Sequence, residues 1–127
     1  MTYRAPLDDI RLALATAGGL DDLIARGLAP GLDGDLVEQV LVEAARFAEQ
    51  QLAPLSEVGD QHGSRLVDGE VVMPPGWKAA YDAFSAAGWG GLPSPTEHGG
   101  QGFPQALATA VTEIWNAANL SFGLGPL

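Results

Sequence analysis

Apolar side chains recur every three or four residues through most of this chain, which predicts helices that pack by one face. After Pro6, apolar residues fall at i, i+3 and i+7 until the glycine pair Gly18-Gly19 ends the run. A short second piece, residues 20–26, repeats the pattern and ends at Gly27. The residues that define these two faces are Leu7, Ile10, Leu14, Leu20, Leu23 and Ile24.

The longest helical pattern follows a turn-rich connector at residues 29–34. Asp35 is expected to cap this helix, because Glu38 stands three residues further on, where a capping box has its acidic partner. Pro54 lacks an N–H group, so it either kinks the helix or begins a second short one. The apolar stripe of the helix consists of Val37, Val40, Leu41, Ala44, Ala45, Ala48 and Leu52.

One segment has a β pattern. Asp68-Gly69 stands between two apolar pairs, and glycine tolerates the positive φ that a two-residue turn requires. We expect a short β-hairpin on the surface, because two such strands are marginally stable alone. The fold class that the sequence predicts is therefore all-α with this one hairpin near Asp68-Gly69.

Two more helices are predicted after the hairpin. Pro74-Pro75-Gly76 is expected to open the first, with proline in its first turn, and Gly88 to end it. A compact Gly/Pro loop, residues 89–103, separates it from the second, which starts at Pro104. The apolar faces are Trp77, Ala80, Tyr81 and Phe84 for the first helix and Leu107, Ala110, Val111, Ile114 and Ala118 for the second.

Charge and composition exclude several classes of function. The net charge of −10, from 16 acidic and 6 basic residues, argues against nucleic acid and against anionic membrane surfaces. The absence of cysteine excludes disulfides, thiolate catalysis and zinc fingers. Residues 1–6 do not form a signal peptide and no apolar run reaches membrane-spanning length, so no membrane span and a cytoplasmic location are expected.

No complete active site can be assembled from the candidate residues. His62 and His98 have no companion at a metal-ligand spacing, so we expect loop histidines and no metal site. Glu49 and Glu57 are interpreted as part of a solvated helical face. Residues 100–102, Gly-Gln-Gly, precede a helix as a phosphate cradle would, but Gln105 stands where the third glycine belongs. Those glycines are therefore interpreted as allowing tight turns and close packing.

The C-terminal segment, residues 120–127, is apolar and carries no charge. An exposed apolar tail invites association, so a complete domain rarely ends on an uncapped hydrophobic segment. We interpret the segment as exposed, and the chain as cut inside a longer protein.

Two motifs resemble the acyl-CoA dehydrogenase family. Residues 88–92 (GWGGL) match its GW-GL step, and residues 95–102 (PTEHGGQG) match its P-E-(Y/H)-GG-G loop, followed by the expected helix with Glu113 and Ala118-Asn119. Residues 43–54 resemble the first core helix of the family. Residues 3–10 and the Asp68-Gly69 hairpin resemble its larger branch, which has an N-terminal extension and includes the 3-methylthiopropanoyl-CoA dehydrogenase-like enzymes.

The resemblance implies a three-part flavoenzyme. It makes residues 1–34 an N-terminal helical extension and residues 35–127 the family's helical N-terminal domain, incomplete at its C-terminal end. In the family, a glutamate in a later region removes the α-proton of an acyl-CoA thioester and FAD accepts the β-hydride, which yields a trans-2-enoyl-CoA. Electrons then pass to an electron-transfer flavoprotein, and the full-length enzyme is expected to be a homo-oligomer.

None of the catalytic or flavin-binding residues is expected within this chain, so the chain alone is expected to bind no FAD and to be inactive. The resemblance places Phe122, Leu124 and Pro126 where the far end of the acyl chain is lined, with ordinary core packing as the alternative. A second functional hypothesis is a stand-alone helical interaction module without catalysis. A third is a helical protein that completes its core by oligomerising.

Overall fold

The computed structural model describes residues 2–126, and Met1 and Leu127 lie outside the described residues. The fold is all-α with one hairpin, as the sequence predicted. The helices are α1 (Leu7–Ala15), α2 (Leu20–Ala25), α3 (Gly34–Phe47), α4 (Ala53–His62), α5 (Trp77–Ala86), α6 (Gln105–Ala118) and α7 (Leu120–Gly123), and the strands are β1 (Arg65–Val67) and β2 (Glu70–Val72). Among the described residues no helix is both long and apolar enough to cross a membrane.

The core lies between α3 and α6, and the other helices cover these two. Leu41 and Ala44 of α3 and Leu107, Val111 and Ile114 of α6 are almost completely enclosed. Both predicted stripes are confirmed, because each places apolar side chains on one face of its helix. Val37, at the start of the α3 stripe, is only half-buried.

The chain passes from α3 into α4 through one π-helical turn, Ala48–Leu52. At the end of that turn the Ala53 N–H donates to the Ala48 carbonyl, five residues back. Pro54 then lies in the first turn of α4, where a missing N–H leaves no helical bond unmade. Of the two alternatives for Pro54, the structure shows the start of a following helix.

The predicted cap of α3 is wrong by two residues. Asp33, in extended conformation, accepts the Leu36 N–H at 2.8 Å, and the helix begins at Gly34. Asp35 is already inside the first turn, so Glu38 is too far along the helix to complete a capping box. Glu38 instead accepts two hydrogen bonds from Arg11 of α1, at 2.9 and 2.5 Å.

The hairpin is confirmed at the predicted turn. Leu66 faces Val71 in an antiparallel pair, and both turn residues have positive φ, 51° at Asp68 and 84° at Gly69. This backbone matches the right-handed twist of the two strands. Every residue of both strands is exposed, so the hairpin is a surface ribbon.

Two details of α5 differ from the prediction. The helix begins at Trp77, after both prolines, because Gly76 precedes it in the left-handed conformation with φ 82°. Tyr81, predicted on the buried face, is 51% exposed. Its ring lies roughly parallel to that of Phe84, with centroids 6.2 Å apart, and about half of the residue is open to solvent.

The prediction of an uncapped, exposed apolar segment at residues 120–127 is wrong at its start, which is capped, and at Phe122 and Gly123, which are buried, whereas Leu120, Ser121, Leu124 and Gly125 are exposed as predicted. Asn119 caps α7 by accepting the Phe122 N–H at 3.1 Å. Phe122 is 5% exposed, whereas Leu124 is 60% exposed. The aromatic ring finds cover within this chain because the cap turns α7 back onto α5 and α6.

The N-terminal segment is fastened to the core by polar contacts that the sequence did not reveal. The Tyr3 hydroxyl donates to the Ile114 carbonyl at 3.1 Å. Glu49, interpreted as solvated, is largely covered and accepts from the Ala5 N–H at 3.0 Å and from Arg4 at 2.7 Å. Burial, and secondarily the charges of Glu49 and Glu113, raises the pKa of Tyr3.

Candidate functional site

Asn119 joins three parts of the fold at the end of α6. It is 2% exposed and is the one buried polar residue among those described. Its side-chain N–H donates to the Leu52 carbonyl at 3.1 Å, and Leu52 ends the π-helical turn. Its side-chain oxygen accepts a hydrogen bond from the Phe122 N–H. Because both ends of the amide are bonded, the position of α7 is tied to α3 and α4.

Phe122 enters a cluster of aromatic rings. Its centroid lies 5.9 Å from that of Trp77 and 6.0 Å from that of Phe84, at interplanar angles of 54° and 72°. Phe84 in turn meets Trp115 edge-on at 5.1 Å, and Trp89 meets Trp115 edge-on at 5.3 Å. Such tilted contacts are the favourable geometry for aromatic pairs, so they fix the orientation of Phe122.

A first hollow, the apolar hollow, opens on one side of Phe122 with a volume of about 240 Å³. Its polar lining comes from Lys78 and Ser121, and Lys78 is engaged by Asp82 at 2.7 Å. The rest of its wall is formed by Met73, Trp77, Tyr81, Phe122, Gly125 and Pro126. The chemistry of this wall suits an aliphatic group.

A second hollow, the aromatic hollow, has a volume of about 190 Å³. Its wall includes Phe84, Trp89, Leu92, Trp115, Phe122 and Pro126. Phe122 and Pro126 therefore belong to the walls of both hollows. Leu124 lines neither of the two.

Two buried polar atoms beside the aromatic hollow, Trp115 Nε1 and Asn116 Oδ1, have no hydrogen-bond partner among the described residues. Both atoms are enclosed by neighbouring atoms, so a molecule in the hollow would not reach them. The Trp115 ring meets those of Phe84 and Trp89 edge-on. Asn116 Oδ1 lies so close to Gly123 that a Cβ there would overlap it.

The glycine loop does not form a phosphate cradle. Its successive N–H groups, from Gly100 to Phe103, all donate to carbonyls of the same loop at 2.9–3.0 Å. A Cβ at Gly100 would overlap Ser94, so this glycine permits close packing, as interpreted from the sequence. These four N–H groups are used internally, so they are not available to an anion.

The charged residues do not supply a cofactor site either. Five of the six basic side chains form ion pairs with carboxylates, as in Arg11 with Asp8 and Glu38. No group of three metal-ligating side chains exists among the described residues. FAD carries a pyrophosphate, which cations and N–H donors usually hold, and most of the cations present here already pair with carboxylates.

Sequence reasoning placed Phe122 and Pro126 at one hollow and missed that they adjoin two. It also missed Asn119 and the contributions of Met73 and Tyr81 to the apolar hollow. A signal for Asn119 was present, since asparagine is a preferred N-cap residue and stands here between two apolar helical runs. The contributions of Met73 and Tyr81 depend on contacts between distant segments, which no local pattern indicates.

The chain is similar over its whole length to a known enzyme. It is 43% identical over 127 residues to the 3-methylmercaptopropionyl-CoA dehydrogenase of Ruegeria pomeroyi, and the match covers 100% of this chain and 22% of that protein. This similarity confirms the resemblance to the acyl-CoA dehydrogenases and to their larger branch. No protein-family profile matches the chain. The chain spans about a fifth of the length of this relative.

Proposed function

We propose that this chain is the helical N-terminal domain of an FAD-dependent acyl-CoA dehydrogenase, which oxidises an acyl-CoA thioester to the trans-2-enoyl-CoA. The observation that carries the proposal is the 43% identity to the Ruegeria enzyme, which extends over all 127 residues. A shared motif alone would support a shared fold, whereas identity along the entire chain supports a shared role within a larger enzyme.

In this proposal the chain supplies a wall of the substrate site, and the flavin and the catalytic base belong to other regions of the enzyme. Residues 1–34 are proposed to form an N-terminal extension, and residues 35–127 the helical domain. The pairing of five of the six basic side chains with carboxylates, and the internal bonding of the N–H groups of residues 100–103, support this division of roles. Electron-transfer flavoprotein is the proposed electron acceptor, and the enzyme is proposed to be a homo-oligomer.

The apolar hollow is the proposed place for the far end of the acyl chain. Phe122 and Pro126 lie in its wall, and its few polar atoms come from Lys78 and Ser121. Leu124 is proposed to complete the acyl site from the outside, since its exposed side chain is available to an adjoining part of the enzyme. The thioester to test first is 3-methylmercaptopropionyl-CoA, the substrate in the name of the relative.

The test is the absorbance spectrum of the protein that the whole gene encodes. We expect a yellow protein whose flavin band is bleached when the thioester is added without oxygen. A folded but colourless product, or a flavin band that no acyl-CoA bleaches, would contradict the proposal. Substituting short, branched and long acyl-CoA thioesters in the same assay identifies the substrate class.

A stand-alone helical interaction module is the second candidate. The observation that favours it is the burial of Phe122, at 5% exposure, by residues of this chain alone. The two candidates differ in the gene: a stop codon after Leu127 and a stable monomeric product support the module, whereas a continuing reading frame that yields a flavoprotein supports the dehydrogenase.

A further inference from the structure

We propose that residues 53–73, which comprise α4 and the β-hairpin, form the surface through which this domain docks onto another region of the same polypeptide. We call these residues the outer segment. The occupant that we assign is a surface of the whole enzyme that is apolar at its centre and carries basic side chains at its rim. The inference rests on the proposed function, because that proposal supplies the further regions of the polypeptide.

The first support is the exposure of the outer segment. The described part of the chain buries none of its residues, although it contains a helix and two strands. A ten-residue helix and a two-stranded hairpin are both marginally stable in water when no face of them is covered. Elements of this size therefore gain stability from a further covering surface.

The second support is that the outer segment has a defined position. On the inner side of α4, Trp77 Nε1 donates to the Leu55 carbonyl at 3.3 Å. Gly59 lies so close to the same ring that a Cβ there would be 2.6 Å from it. Leu52 and Pro74, which flank the segment, are both buried. The outward side is thus held in place before any partner arrives, which lowers the cost of docking.

The third support is the chemistry of the hairpin, which presents apolar side chains on both of its faces. Leu66 and Val71 form a cross-strand pair on one face, and Val67 and Val72 lie on the other. All four are exposed, Leu66 at 74%. Together they offer on the order of 400 Å² of apolar surface, a size of patch that often has a function.

The size of this surface favours a tethered occupant. An area of about 400 Å² is roughly half of what one partner contributes to a standard interface between free proteins. A region of the same polypeptide is present at a high effective concentration, so a smaller contact is sufficient. The chain matches 22% of the Ruegeria relative, so an enzyme of similar length has ample chain outside these residues to supply the covering surface.

Charge argues against a second copy of this segment as the occupant. The outer segment has four acidic residues and one basic residue, and the whole chain has a net charge of −10. Two copies of an acidic surface repel each other, whereas a surface with lysine or arginine at its rim is complementary. The acidic residues are Glu57, Asp60, Asp68 and Glu70, and the basic residue is Arg65.

Photo-cross-linking of the protein that the whole gene encodes identifies the occupant directly. With p-benzoylphenylalanine in place of Leu66, we expect irradiation to give a product of single-chain mass on a denaturing gel. Mass spectrometry should find position 66 joined to a peptide from outside residues 1–127. Leu12 of α1 is the matched control, since it is a leucine of similar exposure, 64%, outside the outer segment.

Four outcomes of the cross-linking would overturn the proposal. They are a product with the mass of two chains, a link to another residue within 1–127, no link at position 66, and equal yields of links from positions 66 and 12. The first of these would assign the surface to a second copy.

Leu66→Ala provides a second measurement on the same protein without a bulky probe. It should lower the melting temperature by about 2–4 °C, as the loss of a covered leucine side chain does in a large protein. Leu12→Ala should change the melting temperature by less than about 1 °C, because substitutions on an open surface have little effect. Equal shifts for the two variants would overturn the proposal.

Neither measurement uses flavin or a thioester, so the two proposals fail separately. A yellow protein that the thioester bleaches, but in which position 66 gives no link, overturns the docking surface alone. A colourless protein in which position 66 is joined to an outside region of the same chain overturns the dehydrogenase proposal alone.

Discussion

The side-chain amide of Asn119 donates to the carbonyl of Leu52 at 3.1 Å, across 67 residues of sequence. Leu52 ends the π-helical turn between α3 and α4, and Asn119 begins α7. This hydrogen bond connects the longest helical region of the fold to the short helix that carries Phe122. One buried polar residue therefore helps to position Phe122, whose ring lines both hollows.

Asn119→Leu should destabilise the fold by about 1–3 kcal/mol, because it leaves the Leu52 carbonyl and the Phe122 N–H buried without that partner. Urea unfolding followed by circular dichroism measures the change. Asn119→Asp separates the two bonds, since a carboxylate still accepts from Phe122 but cannot donate to Leu52. An Asn119→Leu chain as stable as the unchanged one would show that the bond has no role in positioning α7.

Asp33→Ala should cost about 1 kcal/mol, because the Leu36 N–H loses its capping acceptor. Asp35→Ala is the matched control and should cost only a few tenths of a kcal/mol, since Asp35 interacts with the helix N-terminus by charge alone. Denaturant midpoints of the two variants measured side by side decide between the two caps. Equal losses, or a larger loss for Asp35, would support the capping box that the sequence suggested.

Tyr3→Phe tests whether the Tyr3 hydroxyl holds the N-terminal segment against the core, and its effect on stability should depend on pH. The pKa of Tyr3 in the folded state is raised, chiefly by burial. The neutral hydroxyl therefore contributes its full share of the folding free energy below the unfolded-state pKa of 10.0, and this share is lost as pH rises through the folded-state pKa. At neutral pH the variant should lose about 0.5–1.5 kcal/mol with the hydrogen bond to Ile114. Above pH 10 the difference between the two chains should shrink. A difference that stays constant to pH 11.5 would contradict the assignment.

The 127-residue chain should not bind FAD, because its loop N–H groups are used internally and five of its six basic side chains are paired. Isothermal titration with FAD measures this directly. Micromolar binding would mean that the chain holds a flavin site that neither its charge distribution nor its loop geometry reveals.

Local pattern predicted the helices and the hairpin well, because each depends on periodicity or on a turn residue near in sequence. The stripes of α3 and α6 and the Asp68-Gly69 turn are of this kind. The cap of α3 was misplaced because Asp33 and Asp35 are both good capping residues. The backbone conformation, extended only at Asp33, decides between them.

The candidate site was predictable only in part. The resemblance to the acyl-CoA dehydrogenases suggested Phe122, Leu124 and Pro126 as site residues. Of these, Phe122 and Pro126 line the hollows. The burial of Phe122 could not be foreseen, since its partners Trp77 and Phe84 lie about forty residues away in the sequence. Contacts of that range depend on how the helices pack, which periodicity alone does not determine.

The most direct test of the central claim is a chimera in which this chain replaces the matching segment of the Ruegeria enzyme, measured for flavin content and for reduction by 3-methylmercaptopropionyl-CoA. The account predicts a folded yellow protein that is bleached by the thioester, with the unchanged Ruegeria enzyme as the reference. A chimera that folds but holds no flavin, or holds flavin that the thioester does not reduce, would contradict the assignment of this chain as a dehydrogenase domain.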